Sequence, residues 1–159
     1  MIEVSRHQDN LGRLVQGCNH NTMPQIIEHI DAIARCKQRD VLYLTFFEDG
    51  DGRPVELDWQ ENETRQMVIA WLTANGHAWT PCGEIANERR IQGYRGSIYI
   101  DTPFDQADPA YQALIGFLEH PDGSLRLPQM RFWALSLRLA MKNAHHDDPG
   151  FWERWAEDF

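Results

Sequence analysis

The chain has 159 residues, 42% of them hydrophobic and 25% charged, with a formal net charge of −9. That length suits one domain able to bury roughly 70% of its unfolded surface without help from a metal or disulfide, and no apolar run reaches the ~18 residues of a membrane-spanning helix. The N-terminus MIEVSRHQDN lacks the charged-then-apolar pattern of a signal peptide, so a single cytoplasmic domain over residues 1–159 is the expectation.

In chain order, TMPQIIEHIDAIARCKQ reads as an amphipathic helix capped by Thr22, with Gln25 completing a capping box and Ile26, Ile30 and Ile33 at helical spacing. VLYLTFF, residues 41–47, is an apolar run suited to a central strand covered on both faces. Asp58 with Glu61 offers a second capping box for a helix carrying Met67, Val68, Trp71 and Leu72, with Asn75-Gly76 as its stop. GSIYI, residues 96–100, reads as a strand. DPAYQALIGFLEHP reads as a helix with Asp108 as cap and Pro109 in its first turn. MRFWALSLRLAM alternates at Trp133, Leu135, Leu137, Leu139 and Met141, which favours a strand although its composition favours a helix. Asp148-Pro149 repeats the cap-and-proline start before a short aromatic helix bearing Phe151, Trp152, Trp155 and Phe159. This order predicts an α+β domain: a mixed or mostly antiparallel sheet, three to four helices packed chiefly on one face, and the C-terminal aromatic helix docked on the core. An α/β arrangement with a partly parallel sheet is the alternative.

Chemistry-bearing residues are sparse. His145, His146 and Asp147 are the residue types of a divalent-metal site, but a loop leading into a helix capped by Asp148 accounts for the same stretch, so no metal or cofactor is expected. A hydrolase using metal or thiol chemistry would have to draw on Cys82, His120, His145, His146 and Asp147. Cys82 lies in TPCGE, where a turn could expose a thiol. Cys18 and His20 have a zinc-like spacing without a second pair. The odd set of Cys18, Cys36 and Cys82 spells no disulfide framework and suits a reducing compartment. DGDG, residues 49–52, has Arg53 where a calcium loop needs an oxygen ligand.

The charge is uneven: residues 48–63 carry seven acids against Arg53. Such a field favours a basic partner and repels polyanions. The leading expectation is therefore a protein-interaction or accessory/inhibitor module that offers Asp49, Asp51, Glu56, Asp58 and Trp152 to a basic protein, with nucleic acid disfavoured. RNA binding is a further alternative, carried by Arg89, Arg90, Tyr94, Arg95 and Tyr99, where arginines and aromatics cluster.

Overall fold

The computed structural model describes residues 27–48 and 58–158. Its helices, numbered here in chain order, are α1 (Ile30–Lys37), α2 (Glu63–Ala74), α3 (Pro109–Leu118), α4 (Leu137–Ala140) and α5 (Phe151–Asp158), with a 3-10 segment at Met141–Asp147 between the last two. The strands are β1 (Val41–Phe46), β2 (Trp79–Pro81), β3 (Ile98–Ile100) and β4 (Met130–Leu135). They form one sheet in the order β2-β3-β1-β4, every neighbouring pair antiparallel. From β1 to β4 the succession β-α-β-β-α-β, with the two outer-lying partners split by β1 and β3, is the ferredoxin-like split βαβ arrangement. The domain is thus α+β; among the described residues no two strands of the sheet pair in parallel, as the α/β alternative would require.

Strand alternation distributes β1 between two cores, because successive side chains point to opposite faces. Leu42, Leu44 and Phe46 join Ile98, Ile100 and Met130 beneath Val68 and Leu72 of α2 and Leu114 and Leu118 of α3. Val41 and Tyr43 join Tyr99, Leu135 and Cys82 beneath Ile30, Ile33 and Ala34 of α1 and Ala140 of α4. The apolar run at 41–47 is therefore a central strand covered on both faces. The expectation that the helices pack chiefly on one face is corrected: α1 and α4 pack on the side opposite α2 and α3.

Several boundaries also move. α1 begins at Ile30, because the preceding backbone is committed elsewhere: Gly83 donates to the Glu28 carbonyl at 2.8 Å and accepts from the Ile30 amide at 3.0 Å. Thr22 and Ile26 lie outside the described residues. The cap of α2 is Asn62, whose side chain accepts from the Arg65 amide; Asp58 instead accepts from Gln60 in the preceding turn. Met67 is half exposed, and Val68 and Leu72 carry that helix's burial. Asp108 caps α3 as expected, accepting from Ala110 and Tyr111 with Pro109 in the first turn. The alternating segment is both things in succession: β4 runs to Leu135, Ser136 caps α4, and Asp40 accepts from the Leu137 amide at 2.8 Å.

The C-terminal aromatic helix docks through its rings. Trp152 packs against His29 and His146, Phe151 against both His145 and His146, and the Trp155 indole donates to the Glu88 carbonyl at 2.8 Å. Its start differs from expectation. Gly150 has φ +76° and the Asp148 carbonyl accepts from Phe151, so Asp148-Pro149-Gly150-Phe151 has the proline and positive-φ glycine of a type II turn, and the helix begins after it. Phe159 lies outside the described residues. No helix among the described residues is long and apolar enough to cross a membrane.

Candidate functional site

Among the described residues, two of the places that collect polar and charged groups hold residue sets suited to binding. The first lies where the 3-10 segment meets the loop after β2. The Nε2 atoms of His145 and His146 both reach Oε1 of Glu88, at 2.5 and 2.7 Å. His146 is buried among Phe151 and Trp152, whereas His145 and Glu88 are half exposed. Hydrogen bonds from His145 and then His146 hold the Glu88 carboxyl below the usual carboxylate range. An imidazole that donates from Nε2 keeps a bare lone pair at Nδ1, and His146 Nδ1 is buried with no partner.

Asp147, grouped with these histidines on sequence alone, points elsewhere. It accepts from Arg35 Nε and Nη2 at 2.7 and 2.8 Å, a bidentate pair. Arg35 Nη1 also donates to Asp31 and to the Ala140 carbonyl. Asp31, fully buried, accepts in addition from the Ala86 amide and the Asn143 side chain. Burial alone would push the Asp31 carboxyl up; the Ala86 amide, Asn143 and Arg35 outweigh it and hold the group below its ordinary value. The network ties α1, the 3-10 segment and the loop at 84–88 into one body, and Asp147 joins that network rather than the His145–His146–Glu88 cluster.

The second place is a cleft of about 530 Å³ on the face of the sheet that α1 and α4 leave half open. Its floor follows from register: Tyr43 pairs across the strands with Trp133 and Thr45 with Arg131, so all four share one face. The Trp133 indole stacks at 6.3 Å from Tyr43, donates to Thr45 Oγ1 at 2.9 Å, and keeps 41% of its surface exposed. The Arg131 guanidinium lies over the Phe47 ring at 5.4 Å. The β2–β3 loop supplies the wall, with Arg90, Gln92 and Arg95 opposite the strands and Glu84 as the acid of the lining. Arg90, Arg95 and Arg131 are exposed, and among the described residues none of their guanidiniums forms a hydrogen bond or ion pair. The volume lies within the range of small-ligand sites, roughly 300 to 1,000 Å³.

The remaining sequence candidates do not assemble. Cys82 is fully buried and its thiol is pushed up to about 12 by that burial, which removes the nucleophile of the thiol reading; His77 bonds Thr102, not Cys82. His120 sits in the α3–β4 loop beside Arg126. Tyr94 donates to the Ser97 carbonyl and accepts from Arg65, with its ring edge-on to Trp59. Tyr99 is buried and donates to Asp101. Tyr99 is thereby covered and Tyr94 half-buried, and Arg89 lies outside the cleft lining; Arg90 and Arg95 are the two of that set that line it together. Asp49, Asp51 and Glu56, like Cys18 and His20, lie outside the described residues. Glu88, Arg131 and Trp133 were missed, since each gains its role from a partner tens of residues away. No protein-family description, curated protein or solved structure matches this chain.

Proposed function

We propose that this protein is a binding module whose site is the sheet-face cleft, and that its ligand is a nucleobase–phosphate unit, either a free nucleotide or a short single strand. One observation carries the reading: three guanidiniums that form no hydrogen bond or ion pair among the described residues line one cleft with an exposed tryptophan, in a chain whose net charge is −9. An arginine is planar and matches phosphate oxygens with two parallel donors. An indole face stacks on any base, contributing about 1 to 3 kcal/mol per base in single-strand sites. Arg131 and Trp133 alternate with inward-facing residues on β4, so a rigid strand presents both functions. The overall negative charge sets the scale of the ligand, because long-range repulsion grows with the length of a polyanion while a short ligand meets chiefly the local potential.

The test is quenching of tryptophan fluorescence, with Trp133→Phe identifying the signal that belongs to the cleft. Adenosine monophosphate, ribose 5-phosphate, a uridine pentanucleotide and a hexaglutamate peptide are titrated at low salt. Saturable binding of the mononucleotide or pentanucleotide, weakened by Arg95→Ala and Arg131→Ala, supports the proposal and tells the two sources apart. Equal affinity for hexaglutamate would leave an anion site but remove the nucleobase from it. No saturable binding by any of the four would end the reading.

A further inference from the structure

We infer that Glu88, His145 and His146 form a binding site for one divalent transition-metal ion of the zinc class. This site is separate from the cleft and does not depend on its ligand. Three donor atoms, two imidazole nitrogens and one carboxylate oxygen, lie within 4.8 Å of one another. Histidine and carboxylate ligands suit zinc at about 2.0 to 2.2 Å from each atom. Donors so placed need move by no more than side-chain adjustment to close on an ion.

Adjacent residues of a 3-10 turn project about 120° apart around its axis, so convergence of both Nε2 atoms on one oxygen requires the rings to be steered. Phe151 stands edge-on to His145 at 5.4 Å and lies 4.8 Å from His146, while Trp152 lies 4.7 Å from His146. On the other side, Trp155 fixes the Glu88 backbone through its carbonyl. The donors are therefore held by packing rather than by each other alone. Half exposure of His145 and Glu88 leaves the outward side open to water as a fourth ligand.

The same geometry bounds the affinity. An ion at Nε2 needs the lone pair there, so the neutral His146 proton must sit on Nδ1, which is buried without an acceptor. An orphaned donor of that kind weakens binding, because among the described residues no acceptor takes the other ring N–H of the ligand histidine. An affinity about 10- to 100-fold below that of a site with such an acceptor in place follows.

Isothermal titration of the metal-free full chain with zinc chloride, beside Glu88→Gln and His145→Ala, decides the matter. Both substitutions fall on half-exposed side chains, and far-ultraviolet circular dichroism confirms that each variant is folded. One ion per chain is expected, with affinity at least about tenfold weaker in each variant, and thermal unfolding of wild type shifted upward by zinc more than that of either variant. Binding equally strong in both variants would locate the ion on other histidines or cysteines of the chain and overturn the assignment. Absence of binding at submillimolar zinc would do the same.

Discussion

Asp31 shows how much one side chain can organise. It is fully buried, yet its carboxylate is matched by Arg35, the Ala86 amide and Asn143. Removing one partner of a buried charge pair typically costs about 3 to 5 kcal/mol because the other charge is left uncompensated. Arg35 keeps Asp147, so Asp31→Ala is expected at the lower end, about 3 kcal/mol by urea denaturation at neutral pH. The folded-state pKa of Asp31 lies below the ordinary aspartate value. Its contribution is therefore complete above the unfolded value and is lost as pH falls through the folded value. The stability gap between wild type and Asp31→Ala should hold from neutrality down to about pH 4 and close only below it, that being the ordinary range of an aspartate. A gap that stays constant to pH 2 would show that the charge is not what matters. Nothing in IDAIARCK announces this: i,i+4 spacing makes Asp31 and Arg35 neighbours, but only the fold decides that they are buried together and that Asp147 joins them.

At the level of elements, local signals were legible where one element's own residues decide its form. Asp108-Pro109 sets the start of α3, and the apolar run at 41–47 marks a strand covered on both faces. Signals failed where a distant segment competes for the backbone: Gly83 takes the amides and carbonyls around His29 that the α1 capping pattern would use, and Asn62 displaces Asp58 because the intervening residues form a turn. The candidate site was legible only in part for the same reason. His145 and His146 stand out in sequence, but Glu88 reaches them across 57 and 58 residues. One element-level feature is open to direct test. Gly96 has φ +86°, and a Cβ there would lie 2.4 Å from Trp59 Cβ; Gly123 has φ +85° with nothing within 4 Å. Left-handed backbone alone costs a non-glycine residue about 1 to 2 kcal/mol, so Gly123→Ala should lose that much. Gly96→Ala should lose distinctly more, by about a further 1 to 3 kcal/mol for overpacking, because Trp59 also sits beneath the Arg65 guanidinium and cannot simply withdraw. Equal losses in chemical denaturation would mean that the Trp59 contact is not constraining.

At the scale of the whole chain the sequence is acidic, with seven acids in residues 48–63, while the cleft is lined by three arginines that form no ion pair among the described residues. This contrast in charge makes the two binding expectations distinguishable in one experiment. Neutralising Asp49, Asp51, Glu56 and Asp58 to their amides removes four negative charges and substitutes none of the described residues that line the cleft. If the acidic segment acts through its long-range field, an anionic ligand approaches a less repulsive surface, so the quadruple variant should bind adenosine monophosphate several-fold more tightly at low salt. The Debye length shrinks from about 30 Å at 0.01 M to about 3 Å at 1 M salt, so the advantage should fade as salt rises, leaving only the short-range arginine and tryptophan contacts. The reading of the acidic segment as a docking surface for a basic protein predicts the reverse for its own ligand: capture of a polylysine probe should weaken in the same variant at low salt. Tighter nucleotide binding together with unchanged polylysine binding would place recognition in the cleft and reduce the acidic segment to a source of repulsion. Unchanged nucleotide binding at every salt concentration would show that the segment's field does not reach the cleft, and the charge argument for a short ligand would fall with it.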